Sequence, residues 1–162
     1  MVQAKEHKDA DSSAFSIEVD VTSITVAKSG AIWGNIYVRV GGVFFPEQGW
    51  FDLIEGGLNG WLEAVIKKSR GSAVAEVCFF DGPFSVRFES TSSPHLWQVV
   101  LCDDHSPRRE KRATVSQREV VKSVTTCAKR LIARCRSHQI ALHELPQAEK
   151  ALSEIERLGL DV

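Results

Sequence analysis

Residues 44–66 read FFPEQGWFDLIEGGLNGWLEAVI, and the fold turns on how this stretch is read. It holds two of the four tryptophans, Trp50 and Trp61, and four of the eleven glycines, three of them inside the helical pattern. Trp50, Ile54, Leu58, Trp61 and Val65 recur at helical steps, which predicts one apolar face on a long helix over about 49–68. Gly56, Gly57 and Gly60 should together cost about 2–3 kcal/mol against alanine in that helix. Either a neighbour packs close along the Gly56–Gly60 face, or the helix breaks near Gly56-Gly57. Trp50 and Trp61 are then expected in one buried stripe.

Upstream, residues 15–26 alternate Phe15, Ile17, Val19 and Val21 with Ser16, Glu18, Asp20 and Thr22, the period of a half-buried strand. A turn at residues 28–30 leads to a second strand over 31–40. There Ile32, Ile36, Val38 and Val40 share one face, and Trp33, Asn35, Tyr37 and Arg39 share the other. Downstream, strands are predicted at 73–80, 84–90 and 95–102, with DGP at 81–83 as the turn between the first two. A short strand is expected at Thr114 and Val115. Ser116 and Glu119 have capping-box spacing and open a helix over about 117–138, striped by Val120, Val124, Cys127, Leu131 and Cys135. A third helix is expected from Pro146 to about Leu158. The fold class is α+β: one antiparallel sheet of about five to six strands (hairpin, long helix, three-strand meander) with two C-terminal helices. Residues 1–14 read as a flexible tail, and 15–162 as a single domain.

The chain has 162 residues, 43% apolar and 25% charged, which suits one globular domain able to fold without staples. No apolar run approaches the roughly 20 residues of a membrane span. The N-terminus lacks the apolar segment of a secretory signal. Net charge is −1 but uneven, −6 over 1–104 and +5 over 105–162. The four cysteines, Cys78, Cys102, Cys127 and Cys135, form no CxxC pair. Cys127 and Cys135 lie about 12 Å apart along one helix, too far to bridge. Reduced thiols and a cytoplasmic location are expected; the alternative is a Cys78–Cys102 bridge.

No catalytic signature is present among GxSxG, HExxH and phosphate-loop patterns. His105 beside Asp103 and Asp104 is the nearest approach to an acid–base cluster. Cys135 and His138, with His143 close by, are the nearest approach to a metal set, without the paired spacing zinc sites use. The reading is a non-enzyme with no cofactor and no metal. Two binding surfaces remain. Trp33, Tyr37 and Arg39 align on one strand face and are residue types that anchor interfaces; otherwise a helix covers them as a second core layer. The loop at 103–112 offers Asp103, Asp104, Arg108 and Arg109. Between Arg108 and Arg136 stand ten basic and two acidic residues, so Arg108, Arg109, Lys111 and Arg112 also suit nucleic-acid phosphates.

FP at 45–46, GWFD at 49–52, WL at 61–62 and FFDGPFSVR at 79–87 resemble a pattern in small bacterial proteins of toxin–immunity systems. The resemblance covers residues 44–90 and its motifs are structural. It implies a protein that binds and blocks one cognate toxin, and it assigns no functional residue. The expected partner is therefore a toxin or another protein, with nucleic acid the alternative, no membrane, and a homodimer as a further possibility.

Overall fold

The computed structural model describes residues 12–160. In chain order the elements are β1 (Phe15–Val26), β2 (Ile32–Val40), β3 (Val43–Phe45), β4 (Phe51–Leu53), α1 (Ile54–Ser69), β5 (Val74–Cys78), β6 (Phe84–Ser90), β7 (Leu96–Asp103), β8 (Arg109–Ser116), α2 (Gln117–Ser137) and α3 (Leu145–Arg157). The fold is α+β, but the strands form two antiparallel sheets of four, where the sequence predicts one of five to six. The first sheet runs β1-β2-β3, with β4 also pairing β2; the second runs β5-β6-β7-β8. The meander closes its own ladder because β8 extends it by eight residues in register with β7. Among the described residues, a parallel bridge from Ser13 to Val115 is the one backbone link between the sheets, with Ser13 N–H donating to Thr114 O at 2.7 Å. Most of the expected tail, residues 1–11, lies outside the described residues.

Residues 44–66 do not form one helix from Gly49. The peptides of Phe51, Asp52 and Leu53 pair with Asn35, Gly34 and Trp33 of β2, and Ile36 N–H donates to Trp50 O at 2.8 Å. Ladder bonds to β2 thus outcompete another helical turn, and α1 begins at Ile54. From there the helix is continuous through its glycines and buries Ile54, Leu58, Trp61, Leu62 and Val65. It packs against β2, β5, α2 and α3. Trp50 is not on the helix and is only half-buried, so the single stripe expected for both tryptophans is corrected.

Trp61 instead sits between the sheets. Its ring meets Phe15 of β1 at 6.3 Å, Phe88 of β6 at 6.1 Å and Phe79 at 6.5 Å. Phe79 meets Phe45 of β3, Phe45 meets Phe84 of β6, and Phe84 meets Trp50 at 5.2 Å. These contacts, edge-to-face apart from the tilted Phe15–Trp61 pair, run a line of aromatic rings through the core, and such pairs add about 0.5–1.5 kcal/mol each beyond area burial. The close approach expected along the Gly56–Gly60 face is found at its Gly56 end: a Cβ there would lie 2.9 Å from Phe80 Cζ, against 3.5 Å from Val77 Cγ1 at Gly60.

Ser116 is the N-cap of α2 but makes no side-chain cap hydrogen bond, so the reciprocal capping box does not form. Its backbone is held in the β8 ladder opposite Leu96. α2 lies along β1, where Ser123 Oγ accepts the Ile17 N–H at 2.8 Å and covers part of that strand's open edge.

Candidate functional site

β2 alternates strictly, so Ile32, Ile36, Val38 and Val40 are buried while Trp33, Asn35, Tyr37 and Arg39 face outward. β4 and β3 then set Phe51 and Phe44 beside them. Trp33 and Phe51 stack at 6.0 Å with an interplanar angle of 13°. Tyr37 meets Phe44 edge-on at 5.8 Å, and the Arg39 guanidinium lies 5.6 Å from the Phe44 ring centre. None of these residues is buried; Phe51 is 45% exposed. Of the two readings of this face, the contacts favour an uncovered one: α1 engages β2 through its buried side, and α2 lies along β1. The face continues past Leu53 to Phe80, whose ring tip and the Leu53 side chain both lie against Gly56. Phe80 is 59% exposed.

Asp52 fixes this surface from beneath, and the sequence reading missed it. Its carboxylate is 1% exposed and has no basic partner within 4.0 Å among the described residues. Oδ1 accepts the N–H of Leu53 at 2.7 Å and of Asp81 at 3.2 Å; Oδ2 accepts the Trp50 indole N–H at 3.2 Å. The Phe80 N–H points between both oxygens at 3.1 and 3.0 Å. Converging N–H dipoles thus replace water around a buried anion. GWFD at 49–52 and FFDGP at 79–83, far apart in sequence, are therefore the two halves of one clasp. The available signal was an acidic residue in an otherwise apolar run.

The second expected surface is not a loop over 103–112. Arg109 opposes Asp103, and Arg112 opposes Val100, in the β7–β8 ladder. Acidic partners alternate with the arginines closely enough to make paired strands. Asp103, Asp104, Arg108 and Arg109 stand at the β7–β8 turn on the second sheet, apart from Trp33, Tyr37 and Arg39 on the first, so the two expected surfaces lie on different sheets. His105 Nδ1 lies 2.7 Å from Asp103 Oδ1, and the His105 ring meets Phe84. The His105 backbone N–H and ring hold the Asp103 carboxyl below its ordinary range.

Arg108 pairs with Asp104 at 2.9 Å and Glu110 at 3.1 Å; Arg112 pairs with Glu89 at 2.9 Å and Glu110 at 3.0 Å. Arg87 joins through Glu89 at 2.8 Å and Glu110 at 3.4 Å. This ionic net covers the outer face of the second sheet and roofs the buried Val100 and Cys102. On α2, Lys129 and Arg136 are paired with Glu156 and Glu149 of α3. Four of the ten basic side chains between Arg108 and Arg136 are thus paired internally, while Arg109, Lys111, Arg118, Lys122, Arg130 and Arg134 form no ion pair among the described residues.

All four cysteines are free thiols. Cys78 and Cys102 both oppose Ser85 from either side of β6, two strand spacings or about 10 Å apart, beyond bridging distance. Cys135 is buried, whereas His138 lies at the exposed end of α2 bonded to its own turn, so these two do not converge. Among the described residues no group of three or more metal-ligating side chains is gathered, and no helix is long and apolar enough to cross a membrane. Comparison with protein-family models, curated proteins and solved structures finds no significant match to this chain.

Proposed function

We propose that this chain is a non-catalytic protein-binding protein, most concretely a cytoplasmic immunity protein that binds and neutralises a cognate bacterial toxin. Its docking face is the outer side of the first sheet, centred on Trp33, Phe51, Tyr37, Phe44 and Arg39, with Phe80 at the margin. The observation that carries the reading is the Trp33–Phe51 stack left open to solvent beside Phe80. Contiguous exposed aromatic surface is uncommon on monomers and marks interaction sites. Tyr, Trp and Arg are also the residues that dominate interface energetics. The rings hold one another in place, so little side-chain entropy is lost on docking.

The test is co-purification of the chain with the product of the adjacent gene, together with protection of cells from that product. Complex formation that Trp33→Ala abolishes supports the proposal. Absence of both complex and protection contradicts it. Self-association through the same face, read by sedimentation, would replace the toxin by a second copy.

A further inference from the structure

Lys68 closes α1, and although it is a lysine it is only 5% exposed. Its Nζ donates to Ser72 O at 2.8 Å and Ser90 Oγ at 2.7 Å, and the Trp97 ring centre lies 5.7 Å away. All three neighbours are uncharged. Among the described residues no carboxylate oxygen lies within 4.0 Å of this ammonium. An ammonium has three N–H donors, and two are used here. Burial pushes its pKa below the ordinary lysine value, and no acidic group opposes the shift. A buried cation without a counter-charge is costly and calls for a partner.

The space beside it can supply one. Lys68 borders a cleft of about 260 Å³ that Ser69, Ser90, Ser93 and Gln117 also line. At about 30 Å³ per water, that holds a small anion and several waters. Ser69 Oγ is buried there without a hydrogen-bond partner among the described residues. Gln117 opens the 21-residue helix α2, whose N-cap Ser116 makes no side-chain cap hydrogen bond; the Gln117 N–H itself donates to His95 O at 2.9 Å, so the helix start offers the cleft its positive dipole end and not its first amide. Gln117 also lines the neighbouring cleft, which holds His95 and Arg118. A buried ammonium without a counter-charge, an orphaned hydroxyl and the positive end of α2 therefore border one opening.

We propose that this cleft binds a tetrahedral oxyanion of the phosphate class, with Lys68 as counter-charge, Ser69 as hydrogen-bond donor and the positive end of the α2 dipole beside it. The site is distinct from the aromatic face and does not depend on it. The experiment is calorimetric titration of the whole chain with inorganic phosphate at fixed ionic strength, beside a parallel titration with glycerol 3-phosphate. Saturable single-site binding is expected. It should weaken at least about tenfold in Lys68→Met, which keeps the length and loses the charge, and several-fold in Ser69→Ala, which leaves the fold intact. Tighter binding of the ester assigns the phosphate to a larger molecule, and tighter binding of the inorganic ion assigns it to free phosphate. No saturable binding of either up to about 10 mM overturns the proposal. So does undiminished binding in a folded Lys68→Met, or in Ser69→Ala should Lys68→Met fail to fold.

Discussion

Two side chains hold the candidate surface in place. Asp52 has four N–H donors and no cation, so its removal strands donors that nothing else can reach. Asp52→Ala should lower unfolding free energy by about 3 kcal/mol in urea titrations; Asp52→Asn, which keeps one acceptor, should cost less. A change below about 0.5 kcal/mol would mean the clasp is not built as described. Trp61 is the other, since its ring meets aromatic rings from both sheets. Trp61→Ala should cost about 3–5 kcal/mol, a large share of the 5–15 kcal/mol by which a domain is stable. Trp33→Ala belongs to a different class. It removes a half-exposed stack, so stability should fall by only about 1 kcal/mol, with the effect concentrated in partner binding. The role of Trp61 was legible in the sequence, because apolar spacing over 54–65 places it on the buried side. Trp50 was not, because a residue one turn before a helix has the same spacing whether its backbone is helical or laddered.

At the level of elements, α1 and β8 show which signals carry. The α1 glycines read as a close approach, and one exists, but at Gly56 beneath Phe80. Gly60 has ordinary clearance, so Gly60→Ala should be neutral or stabilising by up to about 1 kcal/mol through helix propensity. A substantial drop in melting temperature for that variant would show that β5 leaves less room than the 3.5 Å implies. In β8, REKR reads as a basic loop because hydrophobic alternation is missing. The strand forms by ladder pairing with β7, and its outer charges find Glu89 and Arg87 on β6, partners that no local pattern reveals.

That ionic net has a pH signature. Hydrogen bonds from Arg87 and then Arg112 hold Glu89 below its ordinary value of 4.5. Partial burial pulls Glu110 upward, but hydrogen bonds from Arg112 and Arg87 outweigh it and leave Glu110 lowered too. Groups depressed in the folded state stabilise above their unfolded pKa and lose that contribution as pH falls through the folded value. The difference in denaturation midpoint between the parent chain and Glu89→Gln/Glu110→Gln should therefore be full at pH 6 and shrink below about pH 4.5. It should also shrink in high salt, as partly exposed pairs do. A difference independent of pH would remove the net as its cause.

For the whole molecule, the α+β class, the three helices and five of the eight strands were legible, since alternation and helical period are local properties; β3 and β4 were not, and β8 showed only at Thr114 and Val115. The division into two sheets was not, because sheet membership is set by which edge each strand reaches in space. The docking face was half legible. Trp33, Tyr37 and Arg39 alternate visibly, but Phe44, Phe51 and Phe80 join them only once β3, β4 and the Asp52 clasp are folded. Under the proposed function, this assembled face is where a protein partner docks. The most direct test is the affinity of the adjacent gene's product for the parent chain and for Trp33→Ala/Phe51→Ala, with the fold of both checked by circular dichroism. A folded variant that binds at least about thirty-fold more weakly is expected, the loss of about 2 kcal/mol typical of an interface anchor. A folded variant that binds as tightly as the parent would contradict it.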